Sequence, residues 1–303
     1  MAEILIKAAS FVAIIILGYT LRQKGFFKEE DFHVISKIVL KITLPAAIIS
    51  NFSGINMDPS LLLLSLLGLG SGILFILLSF AMTVGKSRDE RAFNILNMSG
   101  YNIGNFTMPF AQSFLGPLGV VTTSLFDAGN AVICLGGSYS TAAMSKNGSG
   151  KISFLPIIKR LLLSVPFDAY LLMTILSLLH ISLPTPVTTF TGIIANGNAF
   201  MAMLMMGVGF HLSGDRSQIF SIAKILTVRY SVSALLSAAF FFLLPLKLEY
   251  RQALAILAFS PIASAAPAFT AELKGDYGLA SAVNSISIVI SIVLITCTLL
   301  VVL

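Results

Sequence analysis

Apolar runs of about twenty residues alternate along the chain with short polar turns, and a run of that length crosses a bilayer core as one helix. The pattern predicts ten spans, at 4–21, 34–53, 60–84, 92–114, 118–144, 160–180, 187–212, 219–245, 252–273 and 277–303. A polar connection from Ser145 to Lys151, built around Lys146-Asn147-Gly148-Ser149-Gly150, parts them into two sets of five. Its Gly and Ser content reads as a flexible linker. The expected units are therefore 1–144, a linker over 145–159, and 160–303. The first run, Ile4 to Leu21, lacks a basic leader and a small-x-small cleavage site, so it is read as an uncleaved span.

Two spans are interrupted at matching places. Asn102-Ile103-Gly104-Asn105-Phe106-Thr107-Met108-Pro109 interrupts the fourth, and Pro261-Ile262-Ala263-Ser264-Ala265-Ala266-Pro267 the ninth. Each interruption follows an Arg and an Ile-Leu pair (Arg91, Ile95, Leu96; Arg251, Ile256, Leu257) and precedes a Gly-x-x-Gly turn (Gly116 to Gly119; Gly275 to Gly278). Spans two and seven likewise end in Asn51-Phe52-Ser53-Gly54 and Phe210-His211-Leu212-Ser213-Gly214, ahead of Asp58 and Asp215. The halves read as an internal repeat, and an odd number of spans in each inverts the second half in the membrane.

Composition and charge sharpen this picture. With 56% hydrophobic and 11% charged residues and a mean hydropathy of +0.94, the chain has too much apolar surface for a soluble core, and the lipid bilayer must cover it. The net charge of +6 is no nucleic-acid footprint, because Lys and Arg sit in short clusters between apolar runs. The loops after the odd-numbered spans hold Arg22, Lys24, Lys28, Lys86, Arg88, Arg91, Lys146, Lys151, Lys159, Arg160, Arg216 and Lys274, against Lys247 and Arg251 in the others. The positive-inside rule puts that richer set in the cytoplasm and both termini outside it, as expected of a multi-pass protein of the cell (inner) membrane. Spans four and nine then enter from opposite sides, and their breaks reach similar depths near the midplane.

The breaks carry the candidate chemistry. Pro109, Pro261 and Pro267 remove helix donors and free carbonyls at membrane depth, and Asn102 and Asn105 are placed to serve such groups or a solute. Two half-helix N-termini facing one space suit a carboxylate, without a buried Lys or Arg. The candidate solute contacts are Asn102, Gly104, Asn105, Pro109, Ala263, Ser264 and Pro267. The plainer alternative is that the prolines only kink the helices and the Asn amides mend the exposed backbone. Asp127, in span five, shares a helix face with Thr123 and Asn130, while span ten carries Ser281, Asn284, Ser287 and Ser291 at helical spacing. Asp127, Asn130 and Asn284 are candidates for coupling to H+ or Na+, with polar helix-to-helix glue as the competing role.

At this point the chain resembles a known family. Gly18-Tyr19-Thr20-Leu21-Arg22, then Lys37-Ile38-Val39-Leu40 leading to Leu44-Pro45-Ala46, then Asn102-x-Gly104 with Pro109, and finally Pro267-x-Phe269-x-Ala271-Glu272 are similar to the auxin efflux carrier family. That family lies in a PIN-like, bile-acid-sodium-symporter-like superfamily. The resemblance implies an all-α membrane protein of two inverted five-helix repeats, with helices four and nine broken and crossing at the midplane. It also implies a transport domain that moves against a scaffold, each built from both repeats. The second break is longer than in plant PIN-type carriers and the central loop shorter, so a bacterial organic-anion carrier fits better. Dimerisation is an expectation at family level only.

The expected function is secondary transport of a small organic anion, with no cofactor beyond a coupling ion and no enzymatic activity. A channel, or an ion-coupled transporter of a non-anionic solute, is the alternative. An intramembrane aspartyl protease would need a second acid such as Asp168, and neither acid stands in a Gly-x-Gly-Asp motif. Lys37 and Lys41 read as snorkelling residues, Glu272 and the three His as interfacial, and Asn196 and Asn198 as cavity lining or helix packing. Neither the His nor the Met run from Met201 to Met206 has metal-site spacing.

Overall fold

The computed structural model describes residues 1–55, 57–148, 154–211 and 218–303. Part of the expected linker, residues 149–153, and the turn with Leu212, Ser213, Gly214, Asp215 and Arg216 lie outside that set. Among the described residues the chain is all-helical, apart from one isolated β-bridge.

The helices are α1 Ala2–Gln23, α2 Asp31–Phe52, α3 Pro59–Met82, α4 Arg88–Met98, α5 over 103–115 and α6 over 116–147, then α7 Leu155–Leu161, α8 Val165–Leu178, α9 Thr185–Ala195, α10 Asn198–Val208, α11 Ile219–Phe242, α12 Leu248–Leu257, α13 Ala266–Glu272 and α14 Tyr277–Val302. Among the described residues seven helical stretches are long and apolar enough to cross a membrane, and up to eight if α7 and α8, bent by 76°, count as one. The sequence pattern predicts ten, and the difference has a local cause. The fourth and ninth expected spans are cut at Met98 and Leu257, so α4 is 11 residues and α12 is 10. At about 1.5 Å per residue neither reaches across a core of about 30 Å by itself. The stretch from Ile103 to Asn147 is continuous by hydrogen bonding, but Gly116, at φ 63° and ψ −161°, ends α5, and Pro117 starts α6.

Close helix contacts are made through glycine. A Cβ on Gly207 would fall 2.1 Å from the Ile15 carbonyl, and one on Gly129 would fall 1.8 Å from that of Ser65, so α1 against α10 and α3 against α6 pack backbone to backbone. Such contacts suit a membrane interior, where association rests on packing rather than on expulsion of water. Besides these two pairs, α2 lies against α8 and α9, α11 against α12, and α13 against α14.

Candidate functional site

The two breaks meet. Tyr101 and Ile262 form the antiparallel bridge, and the Asn102 amide donates to the Pro261 carbonyl at 2.9 Å. These two bridge residues stand at the same offset from Ile95 and Ile256, so equivalent positions of the two interruptions pair with each other. Further links tie the segments on either side of the two breaks. The Thr107 and Ser260 hydroxyls lie 2.6 Å apart, and Asn97 Nδ2 donates to Thr270 Oγ1 at 3.1 Å.

Backbone freed by a break has to be paired, and a later helix, α6 for the first break and α14 for the second, does it. Asn130 Oδ1 accepts from the Tyr101 amide at 3.0 Å while its Nδ2 donates to the Tyr101 carbonyl at 2.8 Å, so its amide acts as a strand partner. On the other side Asn284 Nδ2 donates to the Ile262 carbonyl at 3.0 Å, and the Ile262 amide donates to Ser287 Oγ at 3.2 Å. Glue is therefore part of what Asn130 and Asn284 do.

Asp127 sits one turn from Asn130. Its Oδ1 accepts from Asn130 Nδ2 and its Oδ2 from the Tyr170 hydroxyl, both at 2.8 Å. Gly104 is what lets the first break come this close: a Cβ there would lie 2.9 Å from Leu44 Cδ2 and 3.4 Å from Asp127 Oδ2. Asn102, Gly104, Asn105, Asp127, Asn130, Ala263 and Ser264 all line one cavity of about 220 Å³. Asn105 Oδ1 is buried there without a hydrogen-bond partner, and the Asn102 side chain makes a 3.8 Å contact from Nδ2 to Met206 Sδ. Pro267, Asn284 and Ser281 line a second cavity of about 200 Å³, which shares Ser264 with the first.

The remaining expected residues fall elsewhere. Pro109 is buried inside α5, where π-helical turns at Ile103–Thr107 and Ala111–Leu115 flank it, and it borders neither cavity. Thr123 is buried with an unpaired hydroxyl. Asp168 is exposed and does not line the cavity that Asp127 lines, so the two acids do not form a shared site. Lys37, Lys41, Asn196 and Glu272 are exposed, while Asn198 is buried and accepts from Thr43 Oγ1 at 3.0 Å, packing α10 against α2. His211 lies 3.2 Å from both Glu29 and Arg22 at the rim of the second cavity.

One residue at the crossing escapes the sequence argument. Arg229, in the middle of α11, has no exposed surface. Its guanidinium donates to the carbonyl of Met98, to that of Gly100 at 3.0 Å and to that of Ser260 at 3.2 Å, and it lies over the Phe75 and Tyr101 rings at 4.9 and 5.0 Å. The sequence reading names no buried cation at the crossing; Arg229 is one, although it lines neither cavity. The available signal was a lone Arg well inside an apolar span, passed over when basic residues are counted only in loops.

Residues 4–153 match the family model described as membrane transport protein, a segment that holds the first break, Asp127 and Asn130. No curated protein matches the chain. The matched segment, the apolar helices and the crossing agree with one another: over its first half the chain is similar to the membrane transport family of the auxin efflux carriers, and the apolar helices make it a multi-pass membrane protein.

Proposed function

We propose that the protein is a secondary carrier of a small organic anion, a carboxylate, which binds in the first cavity. The observation that carries this reading is that backbone from both breaks, Asn102, Asn105 and Asp127 all border one space of about 220 Å³. The first turn of α5 opens onto it, and the leading N–H groups of a helix suit a carboxylate. Asp127 shares that space. Two negative charges in a poorly screened cavity repel by several kcal/mol, so the anion enters when the Asp127 carboxyl is protonated or matched by a cation. Anion and cation then move together.

The wider architecture belongs to the same proposal: ten spans in two inverted five-helix repeats, with α4 and α5, and α12 and α13, as broken spans. The bridge between equivalent residues Tyr101 and Ile262 supports it, as does the matched clasp by Asn130 and Asn284. Contacts of α1 with α10 and of α2 with α8 and α9 support a scaffold, and those of α3 with α6, α11 with α12 and α13 with α14 a transport domain. The basic loops face the cytoplasm and both termini face out.

A thermal-shift panel of mono-, di- and indole-type carboxylic acids on purified protein identifies ligands, because a bound solute stabilises the fold by mass action. Counterflow in liposomes then reads transport. Saturable exchange is expected, and non-saturating conductance would make the protein a channel. Normal affinity in both Asn102→Ala and Asn105→Ala would move the site elsewhere.

A further inference from the structure

Helices α4 and α12 end at the crossing, and each C-terminus carries about half a negative elementary charge on its unpaired carbonyls. Unwound carbonyls and half-helix C-termini of this kind are where secondary transporters hold a coupling Na+. Here the oxygens are taken. Met98, Gly100, Ser260 and Pro261 present their carbonyls to one guanidinium, that of Arg229, with Pro261 at the longest distance, 3.5 Å. The two end charges sum to about one unit, which a guanidinium matches, and that group stays protonated in proteins. Among the described residues no carboxylate lies within ion-pair distance of Arg229. The carbonyls, with the Phe75 and Tyr101 rings, are therefore its counter-charge.

We propose that Arg229 is the resident cation of the crossing: its guanidinium occupies the carbonyl oxygens that a Na+ would otherwise use, so this face of the crossing binds no sodium. Its effect on transport rests on the carrier reading above, leaving Asp127 as the place where a coupling cation acts, but the binding statement does not need the anion. Arg229 touches neither candidate cavity and is a positioning residue for the two breaks. A Lys would not replace it, because a single ammonium lacks the planar fork that reaches carbonyls of both breaks together.

The test is equilibrium binding of radioactive sodium to purified protein, read by scintillation proximity with excess unlabelled NaCl or KCl as competitor. Expected is no saturable, sodium-selective binding in the parent, or binding that disappears in Asp127→Asn and so belongs to the carboxylate. Arg229→Ser empties the carbonyls, and sodium-selective binding is expected to appear in it. Sodium binding to the parent that persists in Asp127→Asn overturns the proposal, as does a monodisperse Arg229→Ser that binds none. Should Arg229→Ser not be monodisperse, the parent and Asp127→Asn decide the question. Because no organic anion is present, failure here is separate from failure of the carrier reading.

Discussion

The two breaks share a backbone plan and differ in chemistry. In each, a helix ends after an Ile-Leu pair, a bridge residue follows, and an Asn from a later helix, Asn130 or Asn284, holds that residue. One turn before each Asn stands a different group: Asp127 on the first side, hydrogen-bonded to Tyr170, and Ser281 on the second. The unwound stretches differ too, 99–102 against 258–265, and the helix that resumes runs over 103–115 in the first case but for only 7 residues, Ala266–Glu272, in the second. The shared part answers a demand common to both, since every buried N–H and C=O needs a partner in lipid. The unshared part is where the proposed carrier would hold its chemistry: one side bears the acid and the longer half-helix, the other completes the wall of the first cavity.

The largest expected effect separates the two sides outright. Asp127→Asn keeps the neighbouring amide and Tyr170 but loses the acid, so anion-driven acidification of liposomes carrying a pH-sensitive dye should vanish. Ser281→Asp added to that variant should not restore it, because Tyr170 donates to the first side. Restoration would make the two sides interchangeable and end the distinction.

Next comes stability. Asn130→Ala strands the Tyr101 amide, at about 1–3 kcal/mol for a buried unpaired group, and leaves its carbonyl only the 3.5 Å contact to the Cys134 thiol, whereas Asn284→Ala leaves the Ile262 amide on Ser287. Thermal unfolding in detergent should therefore fall further for Asn130→Ala, and equal losses would contradict the asymmetry.

A smaller effect is expected on binding. Asn102→Ala should weaken a carboxylate ligand roughly tenfold to a hundredfold, the worth of about 1.5–3 kcal/mol for a hydrogen bond to a charged group. At the equivalent position of the second break the residue is already Ala263, and Ser264→Ala there should cost about threefold or less. Calorimetry on monodisperse variants checks both, and a larger loss from Ser264→Ala would shift the anion toward the second break. The smallest effect is Tyr170→Phe, which removes one donor from the Asp127 carboxylate; about 1 kcal/mol of stability should be lost, measurable as a shift of a few degrees.

Much of the crossing was legible in advance because breaks leave marks in sequence. Proline, Gly and Asn interrupt an apolar run in a way that packing cannot disguise, and two such marks with matched flanks named Asn102, Gly104, Asn105, Ala263 and Ser264 together. Pro109 was misleading as a marker of where the helix opens. The unwound stretch lies at 99–102, and the widened turns around Pro109 absorb its missing donor. Thr123 shares a helical face with Asp127 by spacing, yet it lies outside the first cavity. Spacing places residues on a face but does not say how far along the helix a neighbour extends.

By itself the sequence determined the membrane setting, the matched flanks and positions of the two interruptions and the acid beside one of them. Each of these is set by local composition or by period along one helix. Tertiary structure alone decided that Tyr101 pairs with Ile262, that Asn130 turns its amide onto a backbone far away in sequence, that Tyr170 reaches Asp127, and that Arg229 gathers carbonyls from both breaks. The physical reason is that an unpaired backbone group at membrane depth must find some partner, while the identity of that partner depends on which helices come into contact.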